Sequence, residues 1–71
     1  MRDKEFLKIV GQRVRKYRKE AGYTQETFAE KCGLDRGAIA RIEVGGINSS
    51  ILKLKQIADS LKIEVSQLVS L

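Results

Sequence analysis

The sequence predicts an all-α fold, a compact bundle of five helices in which two short helices joined by a tight turn hold the centre. Three observations carry that expectation. Apolar residues recur at steps of three and four along most of the chain, no stretch alternates with the period of a strand, and Gly, Ser, Thr or Asp mark the breaks between periodic segments. With 71 residues the chain is near the lower limit for a self-sufficient core, so one domain is expected over residues 1–71.

The first helix is expected from Asp3 or Lys4 to Ala21, with Leu7, Val10, Val14, Tyr17 and Ala21 as its apolar stripe. Asp3 suits the N-cap, and Gly22 suits the left-handed conformation that closes a helix. Gly11 lies inside the pattern and weakens it by about 1 kcal/mol relative to alanine. Close approach of a neighbouring helix would account for it. The second helix should run from Gln25 to Cys32 behind Thr24 as N-cap, with Glu26 facing the positive end of the dipole. Its third position is Thr27, not Glu or Gln, so the reciprocal capping box is expected to be incomplete. Gly33 then ends it.

A third helix is expected from Asp35, its N-cap, to near Val44, before Gly45 and Gly46. Ile39 and Ile42 face inward. Helical geometry sends Gly37, Ala40, Arg41 and Val44 to the opposite side, with Arg36 on the flank of the first turn. The fourth helix, capped by Ser49 or Ser50, should reach Leu61 and bury Ile51, Leu54, Ile57, Ala58 and Leu61. A short fifth helix, about Val65 to Ser70, offers Val65, Leu68 and Val69.

Composition excludes several functions. The single cysteine cannot form an internal disulfide, and with no histidine the usual zinc site lacks its ligands. Histidine-based acid–base or triad chemistry is excluded too, so no enzyme, metal or cofactor is expected. No apolar run approaches the roughly 20 residues of a membrane span, and no signal-peptide core follows the charged N-terminus. A cytoplasmic protein without membrane contact is expected. The net charge is +5, and Lys8, Arg13, Arg15, Lys16, Arg18 and Lys19 fall in a stretch without one acidic residue. Such a face suits a polyanion, because phosphate contacts supply most non-specific affinity for nucleic acid.

Residues 24–45 have the pattern of a helix-turn-helix. Phe28, Ala29, Cys32, Leu34, Ile39 and Ile42 fall where two crossed helices bury them together. A motif that lays its second helix in the DNA major groove needs this seam and an outer face with little bulk. Arg36 and Arg41 are the candidates for base edges, since arginine pairs bidentately with guanine. Either would alternatively hold a phosphate, which positions without specifying. Gly37 and Ala38 would allow close approach to the duplex, Ala38 touching a thymine methyl. Asp35 is mainly a cap, with cytosine contact as a second role. Arg13, Lys16, Lys19 and Lys31 are candidates for the phosphate backbone.

Gln25 opening the second helix, Ala29 four residues later, Gly33 in the turn, then Ile39 and Ile42 form a set that resembles the lambda-repressor/Cro type of regulator, the XRE family. Thr24-Gln25-Glu26, Ile42-Glu43 with Gly45, and Leu54 with Ile57-Ala58 and Leu61 extend the resemblance over about residues 8 to 70. Glu64 stands where the family usually has a serine cap, Ser49 where proline is common, and Gly37 at a position often polar in relatives. The resemblance implies that Gln25 braces a DNA phosphate, that Arg18 and Glu43 form an internal ion pair, and that the loop with Asn48 and Ser49 meets phosphate. With Thr24 these complete the expected DNA-contacting set. It also implies a homodimer built on the fifth helix and the loop before it, through Val65, Leu68 and Leu71. The expected function is a transcriptional regulator, a repressor or controller protein that binds double-stranded DNA sequence-specifically. An antitoxin-type protein-interaction module that also binds DNA is the alternative.

Overall fold

The computed structural model describes residues 2–70, which form five helices and no strand. They are α1 (Asp3–Glu20), α2 (Gln25–Cys32), α3 (Arg36–Glu43), α4 (Ile51–Leu61) and α5 (Ser66–Val69). Helix α3 packs chiefly on α1 and α2, α4 meets α2 and α1, and α5 lies on α1. The core gathers one or more residues from every helix: Val14, Phe28, Ala29, Cys32, Ile39, Ile42, Ile57, Ala58 and Leu68. An isolated eight-residue helix is marginal in water, so α3 owes its existence to this packing. Full burial of Ile39 alone stabilises by about 1.5–3 kcal/mol. Cys32 is buried with the rest, and that burial pushes its thiol pKa up, away from reactivity.

Helix α1 differs from expectation at both ends. Its N-cap is Arg2, and Asp3 is the first helical residue, where its carboxylate complements the dipole instead of capping. Ala21 is exposed, and the buried stripe runs through Val10, Gly11, Val14 and Arg18. A Cβ on Gly11 would lie 2.6 Å from the Glu43 carbonyl oxygen and closer still to that of Ile42, so α3 ends directly on α1 at this glycine. Gly22 closes α1 as expected, with φ +85°, while Tyr23 N donates to Arg18 O and Gly22 N to Lys19 O.

The caps of the shorter helices follow their own chemistry. Thr24 Oγ1 accepts from Thr27 N at 3.0 Å and Thr24 N donates to Thr27 Oγ1 at 3.0 Å. The reciprocal box is therefore complete, because a threonine hydroxyl accepts from the cap N–H as a Glu or Gln oxygen would. Asp35 occupies the N-cap of α3, but its side chain makes no capping bond. Ser50, rather than Ser49, caps α4 by accepting from Lys53 N at 3.1 Å. Ile51 faces solvent instead of the core, since it opens α4 before the helix reaches its neighbours. Helix α5 is shorter than expected. Glu64, at the place of the family's serine cap, donates its N–H to Gln67 Oε1.

Candidate nucleic-acid interface

Helix α3 shows solvent a face of unusually low relief. Arg36 and Arg41 are exposed, Gly37 and Ala40 half-buried, and Val44 is 69% exposed at its C-cap. The inward side is filled by Ala38, Ile39, Ile42 and Glu43. Ala38 is therefore a packing residue and is turned away from any thymine methyl that the outer face meets. Val44 lies on the wheel beside Gly37 and Arg41, where the sequence places it. Its exposed isopropyl group offers the apolar surface that Ala38 does not.

A groove of about 580 Å³ lies beside this face, lined by Lys19, Tyr23, Thr24, Gln25, Glu26 and Arg36 together with Arg18 and Gly22. It brings the N-terminus of α2, with its free N–H groups and positive dipole end, next to the first turn of α3. Tyr23 packs its ring 5.5 Å from that of Phe28 and so ties this corner to the core. Gln25 Nε2 donates to Glu43 Oε1 at 3.1 Å. Glu43 also accepts from Arg18 Nε at 2.6 Å and Arg18 Nη2 at 3.0 Å, a buried side-on pair. Arg18 Nη1 reaches Tyr23 O at 2.8 Å. One charged network thus fixes the start of α2 and the end of α3 to α1.

The remaining candidates separate. Thr24 is exposed at the α2 cap, Asp35 is exposed with an uncommitted carboxylate, and Lys16, Lys19, Lys31 and Asn48 are exposed. Ser49 Oγ is buried and has no hydrogen-bond partner among the described residues, so the hydroxyl is not presented to a phosphate. Arg13 is half-buried and donates to the carbonyls of Leu68, at 3.3 Å, and Ser70. It thereby closes the C-terminal end of α5, a role its sequence position did not reveal. Leu68 is fully buried, so it belongs to the core and not to a dimer surface. Leu71 lies outside the described residues.

The family model described as HTH_3, helix-turn-helix, matches residues 14–68. The chain belongs to this family, the Cro/C1 type of helix-turn-helix domain. The HTH_3 family is one of DNA-binding transcription regulators, not of enzymes, and it binds double-stranded DNA. The chain is 43% identical over 60 residues to the immunity repressor protein of Bacillus phage phi105, covering 84% of this chain and 42% of the repressor. It is 36% identical over 62 residues to the transcriptional regulator SinR of Bacillus subtilis, covering 86% of this chain and 56% of SinR. It thus spans under half of the phage repressor and a little over half of SinR. The crystal structure of the restriction-modification controller protein C.AhdI from Aeromonas hydrophila superposes with a TM-score of 0.84 at 39% identity, covering 87% of this chain and 94% of that one. Helices α2 and α3, joined through Gly33, lie inside the matched segment.

Proposed function

We propose that this HTH_3 domain reads a specific double-stranded DNA sequence through the outer face of α3 and regulates transcription as a homodimer, in the manner of a repressor or controller protein. The observation that carries the reading is the juxtaposition of that low face with the groove at the α2 N-terminus. A helix entering the major groove needs a surface without obstruction and a neighbouring anion site at phosphate distance. Arg41 and Arg36 contact base edges, Val44 supplies apolar contact, and Gln25, Thr24 and Lys19 hold the adjacent phosphate. Asp35, free of capping, accepts from a cytosine amino group at the helix start. Gly37 permits the approach, and Asn48 meets backbone. The network around Glu43 keeps these elements in one orientation, so that binding does not have to order them.

Exposed apolar groups support the homodimer. Ile51 is 71% and Leu52 63% exposed, and with Ile63 and Val65 they border one shallow cleft. Two copies joined there cover apolar surface that a monomer leaves in water. The molecule measures 32 × 22 × 21 Å, a size compatible with two copies placed along DNA at about 34 Å, one helical turn.

Binding selection from random duplex DNA tests the reading. The expected product is a two-fold symmetric sequence with half-site centres one helical turn apart. Retention of DNA without enrichment of any sequence would reduce the protein to a phosphate binder. A free and DNA-bound monomer would remove the symmetric operator. Avid binding to a partner protein with loss of DNA specificity would favour the antitoxin-type module.

A further inference from the structure

Gly37 has no backbone reason to be glycine. Positive φ occurs at Gly22, Gly33 and Gly45 but not at Gly37, which sits in ordinary helical conformation in the first turn of α3. Nor does a neighbouring helix press on it. The nearest atoms that a Cβ there would meet all belong to one side chain: Arg41 Nη1 at 3.1 Å, Cζ at 3.8 Å and Nη2 at 3.9 Å. Residues four apart stack on a helix, and each side chain leans toward the N-terminus, so Arg41 naturally covers position 37. The missing Cβ leaves a notch, and the exposed guanidinium lies over it.

We propose that Gly37 is a positioning residue for base recognition, one that lets the Arg41 guanidinium settle close to the α3 axis. The settled guanidinium has two consequences. It offers its donors from a restricted position instead of from a chain sampling water, which lowers the ordering cost on binding. It also keeps the face shallow, so α3 enters the groove with Arg41 already beneath the height that a Cβ would impose. Any side chain at position 37 closes the notch. Even alanine places a carbon tighter against Nη1 than ordinary van der Waals contact, and the flexible arginine moves outward or changes rotamer. The fold itself tolerates this, because the backbone there suits any residue and alanine favours the helix.

This inference rests on the reading of α3 as the recognition helix, and a double-mutant cycle with Gly37→Ala and Arg41→Ala tests it on the sequence that selection enriches. Gly37→Ala is expected to keep or raise the melting temperature and to leave the salt slope of binding unchanged, since it removes no phosphate contact. Affinity for the selected sequence is expected to fall about tenfold, with discrimination lost at the base pair that Arg41→Ala also relaxes. In the Arg41→Ala background the same substitution should change affinity by less than about twofold. Equal losses in both backgrounds overturn the proposal, since Gly37 would then act without Arg41. In the free protein, Gly37→Ala should shift the Arg41 Nε–Hε resonance, and an unmoved resonance overturns the proposal even where DNA reading holds. If the native protein enriches no sequence, the regulator reading fails first and Gly37 loses its role with it.

Discussion

At the scale of single residues, Glu43 holds the largest share of the architecture. Both its oxygens are occupied, by two Arg18 nitrogens and by Gln25, in a setting where the two charged side chains are 7% and 3% exposed. A buried pair is weak evidence of net stabilisation, because desolvation offsets much of the attraction. Removal of one partner is different, for it strands the other charge in the interior. Glu43→Ala is expected to cost about 3–5 kcal/mol, a large part of what so small a domain holds. Urea unfolding measures it, and a loss under about 1 kcal/mol would contradict the account. Joint replacement of Arg18 and Glu43 by apolar residues of similar volume should recover most of the loss. Arg41 is the opposite kind of residue, exposed and, among the described residues, in no ion pair. Arg41→Ala should leave folding intact and relax preference at one base pair by about 1–3 kcal/mol, with little change in salt slope. Uniform weakening on every sequence would reassign Arg41 to the phosphate backbone.

At the scale of elements, the caps and closures explain why short helices stand where they do. Thr24 and Thr27 satisfy each other's backbone N–H, and Gly33, in the left-handed region, turns the chain into α3. Loss of an N-cap hydroxyl typically costs about 1 kcal/mol, so Thr24→Ala should lower stability by that amount. Thr27→Ala should cost a similar amount, and the double replacement less than the sum, because the two hydroxyls serve one motif. Strict additivity in chemical denaturation would show that the box is not cooperative. Most of this level was legible in the sequence. Thr24, Gly22, Gly33 and Ser50 carry conformational requirements that belong to the residue itself. Asp3 lies one residue inside its helix instead of capping it, and Asp35 stands at the expected N-cap but makes no capping bond, although both are carboxylates that qualify for a cap by type. A single hydrogen bond decides that, and periodicity does not register it.

At the scale of the whole molecule, the arrangement of surfaces determines what the domain can do. The α3 face and the α2 groove lie together, whereas Ile51, Leu52, Ile63 and Val65 gather at a separate cleft. Leu52→Glu is expected to shift a dimer toward monomer in ultracentrifugation. It should also weaken binding to a symmetric operator more than to a single half-site. A dimer unchanged by this substitution would place the symmetric contact elsewhere. Leu68 could not have been excluded from that contact in advance. Its spacing on α5 fits a core position and an interface position equally, and only the seat of α5 on α1 distinguishes them.

The sequence by itself determined the helical fold, the places of α2 and α3 and the outward placement of Arg36, Gly37, Arg41 and Val44. These depend on periodicity, cap chemistry and the wheel of one helix, all local along the chain. Tertiary structure alone decided the burial of Ala38, the engagement of Arg13 with α5, the closeness of α3 to Gly11 and the hold of Glu43 on Gln25. Each is a contact between elements distant in sequence, and its energy exists only when packing brings the groups together and excludes water. The position of Arg41 over Gly37 lies between the two. Four-residue spacing makes the meeting possible, and the absent Cβ makes it close.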